Sequence, residues 1–364
     1  MLSGSSGCSS GRYQNRRSRR LSWWEASRLS AIFVSSCAVL KIVVNFRLPA
    51  KMLTLLLLLA LTAAASVSAE VIGFGVNSRG NSTDSQLVNA LWRINLYNGD
   101  VDYVGWTGYL DLEALALDLD GILFGADDES KTIVRVSQVT GLAIPVGGAA
   151  NRNNMGQSLQ QGMDFGMDFD CHGQAWVVSD VQQSLFRANM ESGRLTRVGE
   201  RGSLGAPITD IAIRGQRAFG IGVGLTGSGE AAAPNLYLLD LETATAELVG
   251  PLGPAVSPYN NAGLAFDADG VLWAITDRRA TPDGDFPSEI LRIDPSTGLA
   301  EKVAETIVGV ESLAITRPAA CDADNEITGS MLPAPVSVLT WPWLALLVLL
   351  TLGLGLIQAG LRQY

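Results

Sequence analysis

Short apolar runs of strand length alternate with glycine-containing turns through most of this chain. Within residues 263–298 the pattern predicts an apolar strand, an Asp-Gly turn, a second strand, a polar loop, a third strand and a Ser-Thr-Gly turn. Strand-length apolar runs punctuated in this way are β-hairpin signals. The sequence therefore predicts antiparallel β-structure in this stretch.

The pattern of residues 263–298 recurs along the chain. Its first strand returns at anchors 52, 44, 53 and 49 residues apart, which are Leu115, Met167, Ile211, Leu264 and Leu313. Periods of about 40 to 50 residues with four strands each are the signature of propeller blades. We therefore predict an all-β fold, a five-bladed β-propeller over residues 70–318, with an open β-sandwich as the alternative.

The first strands carry large apolar residues on one face and small residues on the other. In the last full repeat, Leu264 and Phe266 alternate with Gly263 and Ala265. Blades converge near the axis of a propeller, so a large side chain on one blade must meet a small one on the next. This alternation is expected from packing alone.

The two ends of the repeat complement each other. Residues 71–107 contain three strands but no first strand, whereas residues 311–316 form a first strand with nothing after it. A circular array joins the two parts into one blade and leaves neither with an open strand edge. The sequence thus predicts that the C-terminal strand closes the ring, which an open sandwich does not explain.

Apolar segments flank the repeat on both sides. Residues 52–69 have the apolar core and small-residue cleavage site of a signal peptide. After a polar linker, residues 319–337, the apolar residues 338–358 are long enough to span a bilayer as a transmembrane helix, and a short tail, 359–364, follows. Residues 1–51 are either an overextended start or a disordered cytoplasmic leader. The sequence predicts export, with anchoring in the cell membrane or envelope by the C-terminal helix.

Removal of the leader changes the charge of the chain. The whole sequence has 26 Lys and Arg against 36 Asp and Glu; without residues 1–51 the numbers are 17 and 35, a net charge of −18. Such a charge makes nucleic acid and anionic lipid poor partners. Turn aspartates and solubility account for the charge itself. We expect a monomer with a protein or glycan partner at the cell surface.

Two cysteines, Cys171 and Cys321, fall in or next to the predicted propeller. Export would place them in an oxidising compartment, where an even pair favours a disulfide. Each follows a first strand, and first strands run in the same direction along the axis, so both cysteines are expected at the same face. The sequence predicts a disulfide that fastens the closing strand; two isolated thiols on non-adjacent blades are the alternative.

Acidic residues stand at the starts of several first strands, where the axial opening of a propeller would lie. They are Glu113, Asp164, Asp210 and Glu311, and the preceding loops add Asn153, Asn154, Asn260 and Asn261. Asp168 occupies a position that is alanine in the other blades. A buried carboxylate costs free energy unless it is paired or bound to a metal, and converging carboxylates suit a hard cation such as Ca²⁺. The five acidic residues are therefore candidate metal ligands.

The sequence contains no nucleophile elbow, zinc motif, P-loop or Cys-x-x-Cys. Its only histidine, His172, is predicted in a turn at the opposite face from the starts of the first strands, with Asp170 as the one obvious acid nearby. A solvated turn histidine is the expected role, so no catalytic residue is assigned.

Three features resemble known families. Residues 332–341, Leu-Pro-Ala-Pro-Val-Ser-Val-Leu-Thr-Trp, and the Leu-rich helix after them resemble the PEP-CTERM and IPTL-CTERM sorting tails of bacterial exported proteins, although no Glu precedes Trp341 and the basic end is reduced to Arg362. The repeats resemble those of uncharacterised secreted bacterial propellers. The acidic opening is similar in outline to that of metal-dependent sugar lactonases with six-bladed propellers, which implies a bound metal and hydrolysis.

The sequence leaves two functions open. The first is an exported, membrane-anchored, non-catalytic binding or interaction module; the second is a calcium-dependent hydrolase or lactonase with Glu113, Asp210 and Glu311 as ligands and one carboxylate as base. A fold alone does not decide between them. In either case loops 222–234 and 277–288 are the expected binding edges, because function concentrates on loops carried by a rigid scaffold.

Overall fold

The computed structural model describes residues 70–78, 87–156, 164–223, 234–278 and 284–322. The predicted leader, signal peptide, transmembrane helix and tail, and most of the linker, lie outside these residues. Within the described ranges there is no helix long and apolar enough to cross a membrane.

The described strands form five antiparallel sheets, which are the five blades of a β-propeller. Blade 1 consists of β1 (Ile72–Asn77), β2 (Ala90–Asn95) and β3 (Val101–Trp106). Blade 2 consists of β4 (Leu112–Leu117), β5 (Leu123–Asp127), β6 (Thr132–Val136) and β7 (Ala143–Pro145). Blade 3 consists of β8 (Phe165–Phe169), β9 (Ala175–Ser179), β10 (Ser184–Ala188) and β11 (Leu195–Val198).

Blade 4 consists of β12 (Ile208–Arg214), β13 (Arg217–Gly222), β14 (Asn235–Asp240) and β15 (Thr245–Pro251). Blade 5 consists of β16 (Tyr259–Phe266), β17 (Leu272–Arg278), β18 (Glu289–Ile293) and β19 (Ala300–Glu305). In every blade, strands that follow one another in sequence are hydrogen-bonded neighbours in the sheet. The prediction of an all-β, five-bladed propeller is confirmed.

An aspartate at the end of the first strand builds the turn into the second strand. In blade 5, Asp267 Oδ1 accepts the backbone N–H groups of Asp269 at 3.0 Å and Val271 at 2.9 Å. Its Oδ2 accepts the indole N–H of Trp273 at 2.8 Å, and Gly270 supplies the left-handed residue of the turn at φ +85°. The recurring Asp-Gly motif of the sequence is therefore a hairpin motif of the blade.

Five apolar clusters fill the interfaces between successive blades. The cluster between blades 5 and 1 contains Trp92 of β2, Trp273 of β17 and Leu313 of the segment after β19. The rings of Tyr97 and Trp273 meet edge to face across the same interface, with their centroids 5.4 Å apart. Because blade 5 packs on blade 1 as the other blades pack on their neighbours, the apolar core forms a ring.

The segment 310–314 lies beside β1. Two isolated antiparallel bridges join them, Phe74 with Ala314 and Asn77 with Val310, and Phe74 and Ala314 exchange backbone hydrogen bonds of 2.7 and 2.9 Å. Between the bridges, the Ser312 hydroxyl rather than a carbonyl accepts the N–H of Val76, at 3.0 Å. The side chain interrupts the ladder, so the segment pairs with β1 without forming a regular strand.

A disulfide lies at the face where the first strands end. Cys171, in the turn after β8, is bonded to Cys321, with the Cα atoms 5.2 Å apart. The bond joins blade 3 to the chain that follows segment 310–314, across 150 residues of sequence. Restricting so long a loop in the unfolded chain stabilises the fold by about 5 kcal/mol in the chain-entropy account.

We therefore expect a tryptic digest of the protein under non-reducing conditions to contain one peptide pair linked through Cys171 and Cys321, detected by mass spectrometry. A Cys321→Ser variant should melt at a lower temperature, because the unfolded chain regains its freedom. A digest containing both peptides unlinked, and a variant that melts like the unaltered protein, would contradict the pairing.

Candidate functional site

Carboxylates cluster at the end of the axis where β4 and β8 begin. Asp111 precedes β4, Glu113 lies in β4, Asp128 follows β5, Asp164 precedes β8 and Glu311 lies in the segment beside β1. We call these five residues the acidic mouth. One carboxylate oxygen from each of Asp111, Glu113 and Asp128 lies within 4.8 Å of the others.

Glu113 and Asp164 form a close pair within the acidic mouth. Their side chains are hydrogen-bonded to each other, and Glu113 Oε2 also accepts the backbone N–H of Phe165 at 3.1 Å. Burial, followed by repulsion from Asp164 and Glu311, raises the pKa of Glu113 well above its usual value. Burial also raises the pKa of Asp164. Two carboxyl groups that share a hydrogen bond need one proton between them, so this pair retains a proton where a lone carboxylate would not.

Glu311 presents an unsatisfied oxygen. Its side chain is hydrogen-bonded to Ser78 and is only 6 % exposed, yet its Oε1 atom has no hydrogen-bond partner among the described residues. Burial, then the charge of Asp277, raises the pKa of Glu311 well above the ordinary range. A buried polar atom without a partner costs free energy, so a ligand that contacts this oxygen recovers part of that cost.

The pKa of Asp111 is shifted towards neutrality, and one lysine offsets part of the negative charge of the acidic mouth. Burial, followed by the charges of Asp128 and Asp127, raises the pKa of Asp111 to about 6. Lys131 is ion-paired with Asp128, and its charge opposes the rise in the pKa of Asp164. Five acidic groups against this lysine leave the mouth attractive to cations.

The structure places Asp210 deeper in the axial wall than the acidic mouth. Asp210 is buried and accepts three backbone N–H groups, from Met167 at 3.0 Å, Ile211 at 2.9 Å and Leu264 at 2.6 Å. These donors belong to β8, β12 and β16, so one carboxylate links the first strands of three blades. Burial raises the pKa of Asp210 well above its usual value, although the three N–H groups oppose the rise.

Asp168 repeats this arrangement one step further along the axis. Its oxygens accept the N–H groups of Phe169 at 2.8 Å and Ile213 at 2.6 Å, which joins β8 to β12. Burial raises the pKa of Asp168 to about 7 against the opposing effect of these bonds. Of the five predicted ligands, the structure brings Glu113, Asp164 and Glu311 together, whereas Asp168 and Asp210 bind the backbone.

The predicted asparagines and the histidine have local partners. Asn154 binds the backbone of Ile133 at 2.8 Å, away from the axis, and Asn260 donates to Asp277 at 3.0 Å. His172 is exposed beside the disulfide, with Nε2 3.5 Å from Cys321 Sγ. Asp170, its expected acid, accepts turn N–H groups and the indole of Trp176 instead.

Sequence reasoning missed Asp111, Asp128 and Asp180. Asp180 follows β9, and burial, followed by the charge of Asp164, raises its pKa to about 7. A register signal was available for Asp128 and Asp180, because the end of the second strand in a hairpin lies opposite the start of the first; Asp111 stands just before β4, two residues from Glu113. Leu112 is paired with Asp127, and Phe165 is paired with Ser179. Acids at the ends of second strands therefore join acids at the starts of first strands.

Comparison with known proteins gives a distant structural similarity. No protein-family profile matches the chain, and no characterised protein sequence matches it. Among solved structures, the chain is similar to virginiamycin B lyase from Staphylococcus aureus, with 13% identity and a TM-score of 0.33. The match covers 59% of this chain and 62% of the lyase chain, less than two thirds of that protein's length. No function is taken from this similarity.

We predict that Asp210→Asn destabilises the fold whether or not calcium is present. An amide side chain offers one acceptor oxygen in place of two, and each buried N–H left without an acceptor costs about 1–3 kcal/mol. Urea unfolding, with and without millimolar calcium, measures the loss. Asp240→Asn, in an exposed turn where Asp240 accepts the N–H of Glu242 at 2.8 Å, is the control and should change stability much less. A loss seen only with calcium would make Asp210 a metal ligand.

Proposed function

We propose that this chain is an exported, membrane-anchored β-propeller that acts as a binding module at the cell envelope, and that its acidic mouth takes up a divalent cation. The observation that carries the proposal is the buried carboxylate set in which Glu311 Oε1 lacks a hydrogen-bond partner among the described residues. A cation held by Asp111, Glu113 and Asp128 would replace the proton retained by the Glu113–Asp164 pair and would be attracted further by the neighbouring Glu311.

Calcium fits the spacing of the acidic mouth. Ca²⁺ takes oxygen ligands at about 2.3–2.6 Å, so two oxygens bound to one ion lie at most about 5 Å apart. The oxygens of Asp111, Glu113 and Asp128 lie within 4.8 Å of one another.

A cation in the mouth would leave coordination positions for a partner. Calcium accepts about six to eight oxygens, more than three carboxylates supply in monodentate contacts. Glycan hydroxyls and the carboxylates or carbonyls of a protein loop are ligands of the required kind. A protein or glycan partner at the cell surface, bound to a monomeric propeller, therefore follows from the proposal.

Export, anchoring and closure form part of the same proposal. Residues 52–69 support export and residues 338–358 support an anchor, both on sequence alone; processing of the tail by a sorting enzyme rests on the resemblance alone.

We also propose that segment 310–314 acts as the missing strand of blade 1. Its bridges to β1 and the packing of Leu313 between blades 5 and 1 support this role.

A calcium-dependent hydrolase or lactonase is the second candidate. Asp111, with its pKa raised to about 6 by burial and neighbouring acids, favours it, because a general base works best when its pKa lies near the working pH. Glu113 and Glu311 would hold the ion, and Asp210 would not, since its oxygens bind the backbone. Calcium binding without turnover of aldonolactones would favour the module over the enzyme.

We expect millimolar calcium to raise the thermal midpoint of the protein by several degrees, because a ligand at 100 times its dissociation constant stabilises the folded state by about 2.7 kcal/mol. Differential scanning calorimetry measures the shift. Asp111→Asn should remove most of it without lowering the calcium-free midpoint, since the amide replaces a carboxylate whose charge is disfavoured by burial and by neighbouring acids. Glu191→Gln, on an exposed turn, should keep the full shift.

The pH dependence follows from the raised pKa values. In calcium-free buffer, Asp111 and Glu113 of the folded state keep protons at pH values where the unfolded chain has released them. Their contribution to the stability of the folded state is therefore full below pH 4 and declines as the pH rises through 6. Calcium should flatten this decline and bind more weakly at pH 5 than at pH 7.5. A thermal midpoint that does not change with calcium at either pH would overturn both the cation proposal and the hydrolase alternative.

A further inference from the structure

A recess lies at the opposite end of the axis from the acidic mouth, where the first strands end. It encloses about 290 Å³, room for roughly ten water molecules at about 30 Å³ each. Its wall mixes polar and apolar groups and comes from blades 2 to 5 and from segment 310–314; the larger apolar residues that line it include Leu115, Met167, Ile213, Leu264, Phe266 and Leu313. Residues 316–319 lie along its rim.

Arg214, the last residue of β12, lines this recess. It is 9 % exposed, and its Nη1 donates to the carbonyl oxygen of Asp267 at 3.2 Å. Within the described part of the chain, its Nε has no hydrogen-bond partner and Arg214 forms no ion pair. Gly270 makes room for the guanidinium, because a Cβ atom there would lie 2.9 Å from Arg214 Cζ. A buried guanidinium N–H without an acceptor is costly, so an anion that accepted the Arg214 Nε hydrogen would recover part of that cost.

Arg317 lines the same recess from its rim. It lies over Gly121, where a Cβ atom would come within 2.9 Å of Arg317 Nε, and no carboxylate among the described residues is ion-paired with it. The two acidic residues of the lining are already engaged. Asp168 accepts backbone N–H groups, and Asp267 accepts turn N–H groups and the Trp273 indole. Two arginines without ion pairs thus face one partly apolar recess in an acidic chain.

We propose that this recess is a binding site for a small organic anion, a carboxylate or phosphate carried on a compact apolar body of about ten non-hydrogen atoms. A guanidinium offers donors in a planar fork that matches carboxylate and phosphate oxygens. Arg214 Nε would gain the acceptor it lacks, and Arg317 would close over the anion from the rim. The apolar body would lie against Met167, Leu264 and Phe266. Burial raises the pKa of Asp168 to about 7, so much of its repulsion of an anion is relieved at neutral pH.

Isothermal titration calorimetry in calcium-free Tris chloride at pH 7 tests this site independently of the acidic mouth. The probes are benzoate, phenyl phosphate, inorganic phosphate and benzyl alcohol, which has the same ring without the charge. We expect benzoate or phenyl phosphate to bind with a millimolar or lower dissociation constant, and at least tenfold more tightly than benzyl alcohol. Equal binding of benzyl alcohol, or no binding of either organic anion, would overturn the proposal. Inorganic phosphate binding as tightly as phenyl phosphate would refute the apolar part of the site.

Arginine variants locate the binding. Arg214→Gln should weaken the better organic probe at least tenfold, whereas Arg135→Gln, on the exposed face of β6, should leave it unchanged. Arg317→Gln is the second variant, because Arg317 is exposed and its loss spares the core; it should weaken the probe several-fold. If Arg317→Gln binds as the unaltered protein does, or if Arg135→Gln weakens binding as much, the assignment to this recess is wrong.

Discussion

The inner edge of each blade sets the main constraint on this fold. A strand at the axis has N–H groups on its free edge that no further strand can pair, and buried N–H groups require acceptors. Carboxylates of neighbouring blades supply them: Asp210 binds N–H groups of β8, β12 and β16, Glu113 binds β8, and Asp168 binds β12. These acids are tolerated in the interior because the backbone satisfies them, and each links one blade to the next.

The same constraint separates two kinds of buried carboxylate. Asp168 and Asp210 direct their oxygens to backbone donors and therefore stabilise the ring. Glu311 keeps one oxygen without a hydrogen bond among the described residues, and the pKa of Asp111 is raised to about 6 by burial and neighbouring acids. Acidity near an axis is thus not by itself a metal site. What distinguishes the acidic mouth is oxygen that the backbone does not use.

The sequence predicts the architecture well because the packing of each blade repeats along the chain. Contacts between residues that are distant in sequence do not repeat, so the sequence does not predict them. The spacing of Leu115, Met167 and Leu264 indicated the blades, and the small residue Gly263 is required where a Cβ atom would lie 2.4 Å from Leu313 N. At Ser312 a side chain interrupts the pairing with β1, and Asp210 accepts N–H groups on the free edges of first strands. Both features depend on which strands meet at the axis. One sequence shows neither. The signal peptide and the transmembrane helix lie outside the described residues and stay predictions.

The segment that pairs with β1 also connects the two ends of the axis. Glu311 belongs to the acidic mouth, and Arg317 lies at the rim of the arginine-lined recess, six residues further along an extended chain. At about 3.3 Å per residue a fully extended chain would place them roughly 20 Å apart, and at that separation a cation and an anion interact weakly through water. Coupling between the two sites would have to pass through the pairing of this segment with β1, because any displacement of the segment moves one residue of each site.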